Sequence, residues 1–223
     1  MVGCLAVGAS LAGCSGGTAA EDRSAGQMLD EANATMKALT SVTIDVDTTV
    51  TAGEGYSSHM VTDLKDRCIS RATWATGAGL EQIRINGADY VRPNRAYLHR
   101  WSGRFPVSGQ KQNRWIKASS AAARAGDGLA ECTQEFASFG EATKGEPVKV
   151  NGSPAISLVV TDKADAGGSY TFYVADKGKP YILKVVYKGA KYHGTTTFSA
   201  FDQPLDVRPP AKTDVVDASA LGR

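Results

Sequence analysis

Ser169-Tyr170-Thr171-Phe172-Tyr173-Val174-Ala175 and Tyr181-Ile182-Leu183-Lys184-Val185-Val186-Tyr187-Lys188, joined by Asp176-Lys177-Gly178-Lys179-Pro180, decide how this chain folds. Both runs are rich in β-branched and aromatic residues and are separated by a turn built on glycine, the pattern of an antiparallel hairpin. In the second run Lys184 and Lys188 share one face while Leu183 and Val185 share the other, so the inward side is apolar.

The pattern continues on both sides of this hairpin. Pro147 to Val150, Ala155 to Thr161 and Tyr192 to Phe201 read as further strands, with Asn151-Gly152, Ala166-Gly167-Gly168 and Gly189-Ala190 as turns. Regular spacing with short turns implies an antiparallel meander. Pro204, Pro209 and Pro210 then stop the sheet and leave a mobile tail over residues 211–223.

Towards the N-terminus, Val42, Ile44, Val46 and Val50 alternate with Thr43, Asp45, Asp47 and Thr49, a strand with one wet face. Tyr56 to Lys65, Cys68 to Ala75 and Leu80 to Asn86 read as the next strands, and Asn86-Gly87 is a strong hairpin signal leading to Asp89-Tyr90-Val91. Pro93 starts a short element holding Tyr97, His99 and Trp101; residues 102–113 read as a loop and Trp115-Ile116-Lys117 as a short strand.

Two helices are predicted. Ser24 followed by Gln27 forms a capping box, and Met28, Leu29, Ala32, Met36 and Leu39 fall on one helical face. From Gly128, the residues Leu129, Cys132, Phe136 and Phe139 step by three and four, which predicts a second helix carrying Cys132 on its inward stripe. A long antiparallel sheet with two or more helices must bury one face, so the expected class is α+β, a curved sheet or half-open barrel wrapped around the helices.

At the N-terminus, Leu11-Ala12-Gly13-Cys14 closes an uncharged apolar run and has the form of a bacterial lipobox. Residues 1–13 are then a lipoprotein signal, residues 14–23 the lipidated Cys14 with a small-residue spacer, and residues 24–210 a single domain. Two or more acyl chains on Cys14, such as palmitate, would anchor the mature protein to the outer face of the cell membrane. With Cys4 in the signal and Cys14 at the anchor, Cys68 and Cys132 are the remaining thiols in an oxidising compartment and are expected to pair.

Charge and motif chemistry exclude more than they assign. Lys plus Arg total 25 against 23 acidic residues, interspersed, so nothing points to nucleic acid. His59, His99 and His193 lie in different elements without a His-Glu-x-x-His context, and no metal site, cofactor or catalytic constellation is legible. Gly13-Cys14-Ser15-Gly16-Gly17 matches a hydrolase elbow only literally, since it straddles the cleavage site. Asp45 and Asp47 share the outward face of one strand, read as a solvated face. Arg67, Arg71, Arg84, Arg92, Arg95, Arg100 and Arg104, interleaved with Trp74, Tyr90, Tyr97 and Trp101, make the middle of the chain locally basic and predict a preference for anionic lipid.

The lipobox, the early helix leading into Leu39-Thr40-Ser41-Val42, the pair through Phe172-Tyr173-Val174 and Pro180-Tyr181-Ile182-Leu183-Lys184-Val185, and the closing Phe198-Ser199-Ala200-Phe201-Asp202-Gln203-Pro204-Leu205-Asp206-Val207 resemble the actinobacterial LppX/LprG envelope lipoproteins, which share the fold of the LolA and LolB carriers. The resemblance implies an apolar cavity between sheet and helices that holds the acyl chains of a lipid, glycolipid or lipoprotein. Ile44, Val46, Trp74, Ile83, Ile156, Leu158, Phe172, Leu183 and Val185 are the candidate lining. The expected function is that of a monomeric, non-enzymatic, membrane-anchored binder or carrier of a hydrophobic ligand. The alternative is an extracytoplasmic sensor or protein-interaction module of the same fold with a partner in the envelope.

Overall fold

Ser24 starts the only long helix among the described residues by giving its orphan N–H groups a partner. The computed structural model describes residues 23–100, 114–123, 128–162 and 167–221. The signal, Cys14, the spacer up to residue 22, the loop 102–113 and Arg104 lie outside them. Helix α1 (Ala25–Lys37) carries the predicted capping box: the Ser24 hydroxyl accepts from the Gln27 N–H at 3.2 Å, and the Gln27 side chain accepts from the Ser24 N–H at 2.9 Å. Ala25, Met28, Leu29, Ala32 and Met36 are buried on its inner face. Ser24→Ala is expected to lower stability by about 1 kcal/mol, read as a lower urea midpoint with an unchanged slope.

The strands form one twelve-stranded sheet. In chain order they are β1 (Val42–Val50), β2 (Tyr56–Thr62), β3 (Cys68–Trp74), β4 (Gly79–Ile85), β5 (Ala88–Pro93), β6 (Trp115–Ser119), β7 (Glu141–Val150), β8 (Ser153–Thr161), β9 (Ser169–Ala175), β10 (Ile182–Lys188), β11 (Tyr192–Ser199) and β12 (Val215–Asp217). Their spatial order, β12-β6-β5-β4-β3-β2-β1-β11-β10-β9-β8-β7, is two meanders joined where β1 pairs with β11. Every pairing is antiparallel except that of β12 with β6. The sheet is curved and unclosed, with β7 and β12 at its edges. Asn86-Gly87 and Asn151-Gly152 make their turns with both residues at positive φ, as two-residue hairpins require.

Three expectations are corrected. Tyr56 to Lys65 is not one strand: β2 ends at Thr62, because the Asp63 carboxylate gathers the N–H groups of Lys65, Asp66 and Arg67 at 3.0 to 3.1 Å and turns the chain. Burial pushes the Asp63 carboxyl up, but these bonds and the Arg67 guanidinium outweigh it and hold the group below its ordinary value. The prolines do not end the sheet either, since β12 returns after them to pair with β6, and the Arg114 side chain donates to the Thr213 carbonyl at 2.5 Å. Trp115 to Lys117 is thereby covered on the side that an edge strand would expose.

The third correction concerns the predicted second helix. Residues 128–139 form an irregular strap, and the only other α-helix among the described residues is the short α2 (Arg95–Arg100). The strap's backbone finds its partners in side chains of the sheet instead of in its own next turn. Gln82 both donates to the Ala130 carbonyl (3.1 Å) and accepts from the Ala130 N–H (2.7 Å), while the Thr62 hydroxyl donates to the Cys132 carbonyl. The expected disulfide, Cys68–Cys132, is formed with 5.4 Å between the Cα atoms. Farther along, Phe136 packs on Phe198 with ring centroids 5.7 Å apart, and Asn33 of α1 donates to Ser138 at 2.8 Å. Phe139, placed on the inward stripe by its spacing, is 73% exposed.

Candidate ligand site on the inner face of the sheet

Strand register assigns side chains to faces, because residues directly opposite on neighbouring strands point the same way. The inner face is the one covered by α1 and the strap. One row across it runs Leu158, Phe172, Val185, Thr196, Val46, Ser58, Ala72 and Leu80. The apolar residues of this face collect in two separate clusters. The larger joins α1 to β1 and β8–β11; the smaller joins Ala78, Leu80 and Tyr97 with Trp74, Val91 and Leu129.

The candidate lining residues divide accordingly. Ile44, Leu158 and Phe172 are buried in the larger cluster, and Val46, Ile156 and Val185 are partly buried against it. Trp74 belongs to the smaller cluster, its ring 5.7 Å from that of Tyr97. The register overturns the other two assignments. Ile83 lies opposite Ile69 and Tyr90 on the outer face, since Leu80, Gln82 and Arg84 take the inner positions of β4. Leu183 falls in a β-bulge between Ile182 and Lys184, and Ile182 takes the buried place.

A row of tyrosines escaped the sequence reading. Tyr170, Tyr187, Gly194, Thr48, Tyr56 and Trp74 occupy one inner-face row across β9, β10, β11, β1, β2 and β3. Ring centroids of Tyr187 lie 4.6 Å from those of both Tyr170 and Tyr192, and Tyr56 lies 6.5 Å from Trp74. Between the two groups of rings the row drops to Gly194 and Thr48, and a Cβ at Gly194 would meet nothing within 4 Å. Tyr187 and Tyr56 are three strands apart, about 14 Å at the usual spacing, so the aromatic row contains a slot. Tyr56 and Tyr192 are 40% and 42% exposed. The signal was present in the spacing of Tyr170 with Phe172 and of Tyr187 with Val185, each two residues apart.

Four arginines of the basic stretch have acidic partners. Arg84 forms a two-pronged bond with Asp89 (2.7 and 2.8 Å) beneath the strap, and the Asp89 carboxylate raises the guanidinium above its ordinary pKa against the pull of burial. Arg71 and Arg92 share Glu81, and Arg67 pairs with Asp63. The basic stretch is therefore not a free cationic face at these four positions. On the outer face Asp45 pairs with His59 at 2.6 Å, and together with Asp47 they line a groove of about 350 Å3. Among the described residues no cluster of His, Cys, Asp or Glu is placed to hold a metal, and no helix is long and apolar enough to cross a membrane.

The architecture has solved counterparts. The crystal structure of lipoprotein LppX from Mycobacterium tuberculosis is 14% identical, with a TM-score of 0.52 over 81% of this chain and 98% of that one. That of LprF from Mycobacterium bovis is 11% identical, with a TM-score of 0.57 over 84% and 97%. The chain has the LppX-type fold. At these identities the likeness is one of fold, and no protein-family model or curated protein matches the sequence.

Proposed function

We propose that this protein is a non-enzymatic, membrane-anchored envelope lipoprotein that binds acyl chains between α1 and the inner face of its sheet. The observation that carries the reading is the inner face itself: apolar residues continue from the buried cluster through Val46 and Val185 into a partly exposed tyrosine row interrupted at Gly194. Such a surface suits a ligand with an apolar body and a polar end, since tyrosine offers ring area with a hydroxyl at its tip. The LppX-type fold and the Cys14 lipobox support the same reading. Affinity would follow buried apolar area, with α1 and the strap yielding to admit the chains.

Native mass spectrometry with lipid extraction, on protein purified from its own envelope, tests this. A stoichiometric acyl species is the expected result. Gly194→Trp fills the slot and is expected to reduce the bound lipid about fivefold or more while leaving the thermal midpoint nearly unchanged. A clean protein mass that stays unchanged after incubation with envelope lipids would favour the second reading, a protein-interaction module. That reading has its own support in an outer-face ladder of Val61, Ile69, Ile83 and Tyr90, with Ile69 37% exposed.

A further inference from the structure

We infer that the groove on the outer face of β11, β1, β2 and β3 is a second binding site, and that its ligand is a saccharide. It lies on the opposite side of the sheet from the inner face, and the inference does not depend on the acyl-chain reading. The groove is about 350 Å3, the low end of the range for small-molecule sites. Asp47, Ser57, Thr73 and Thr195 lie directly opposite one another on the four strands, and Thr197 stands one step along β11. Among the described residues none of these five side chains makes a hydrogen bond or ion pair within the protein. One carboxylate and four hydroxyls therefore converge on one depression with their bonding capacity unspent, walled on one side by the longer side chains of His59 and Arg71.

The chemistry of the lining selects among ligands. An acyl chain is disfavoured because it would desolvate the Asp45 and Asp47 carboxylates, and the one apolar residue at the groove, Val46, packs its side chain on the inner cluster. An anion would meet Asp45 and Asp47, and the Arg71 guanidinium beside them already bonds Glu81 at 2.9 Å. Among the described residues a metal ion finds no triad of ligating side chains. A neutral polyol matches: its hydroxyls donate to Asp47 and both donate to and accept from Ser57, Thr73, Thr195 and Thr197. No Phe, Tyr or Trp ring lines the groove for a sugar to stack on, so binding is expected in the millimolar range.

The test is saturation-transfer NMR on the protein with a panel of methyl glycosides, including methyl mannoside, methyl glucoside and methyl arabinofuranoside, at millimolar concentration. At least one glycoside should bind, and Asp47→Ala and Thr195→Val should each weaken it about three- to tenfold. Both side chains are on the solvent face, so folding should be untouched. Thr171→Val, on the same face but outside the groove, serves as the control and should bind like the native protein. Absence of binding to every glycoside overturns the inference, as does binding that both groove variants leave intact. Binding of tetramethylammonium with no glycoside bound, lost in Asp47→Ala, would also overturn it by showing a cation site. Lipid content by mass spectrometry should be unchanged in Asp47→Ala, which separates this site from the inner one.

Discussion

Asp89→Ala is expected to destabilise the protein by about 3–5 kcal/mol, a large share of the roughly 5–15 kcal/mol that holds a typical domain together. Asp89 is 1% exposed and both of its oxygens are used: Oδ1 accepts from Gln82 Nε2 at 3.0 Å and Arg84 Nε at 2.7 Å, and Oδ2 accepts from Arg84 Nη2 at 2.8 Å. Removing the carboxylate leaves the Arg84 guanidinium without its counter-charge on the inner face. It also frees Gln82, whose amide is held by Asp89 while it bonds both backbone groups of Ala130. The loss should therefore spread into the strap, seen as faster amide exchange at Ala130 than in the native protein. Arg84→Met combined with Asp89→Leu removes both charges together and should recover part of the stability. Equal urea midpoints for Asp89→Ala and the native protein would show that the pair contributes nothing.

The disulfide should produce an effect of similar size. Cys68→Ala with Cys132→Ala opens a loop of sequence separation 64, and the loop-entropy account predicts a loss of about 4 kcal/mol. Both residues are buried, at 0% and 1% exposure, so a reductant cannot reach the sulfurs without local opening. Dithiothreitol is thus expected to act slowly on the native protein and quickly in moderate urea. Immediate alkylation of both thiols in unreduced protein would show that the bond is not formed. In the double variant the strap keeps its bonds from Gln82 and Thr62, so exchange should rise in residues 128–136 before the sheet as a whole opens.

The strap shows why some of the fold was not legible in the sequence. Leu129, Cys132 and Phe136 have helical spacing, and the spacing does turn apolar side chains inward. What it could not show is that Gln82 and Thr62, far earlier in the chain, would satisfy the backbone that a helix would otherwise have satisfied internally. The misplacement of Ile83 has the same origin. Alternation within β4 offers two faces, Leu80-Gln82-Arg84 or Glu81-Ile83-Ile85, and hydrophobicity alone favours the second. The first is buried because Asp89 neutralises Arg84 and the strap needs Gln82. Leu183 was lost to a bulge that shifts the register by one residue, which period-two reasoning does not register. Tyr170, Tyr187 and Tyr56 sit on separate strands, so their row exists only after pairing.

The sequence by itself determined the local elements: the Ser24 capping box, the Asn-Gly hairpins, the strands on either side of Asp176-Lys177-Gly178-Lys179 and the pairing of Cys68 with Cys132. Each depends on the conformational preference of a few neighbouring residues, or on there being only one partner left. Tertiary structure alone decided which face of β4 is buried, that residues 128–139 become a strap, and that one side of the sheet carries a tyrosine row while the other carries a hydroxyl-lined groove. These features depend on register and on buried polar groups finding partners across the sheet, and the free energy of such contacts belongs to residue pairs that the linear order keeps apart.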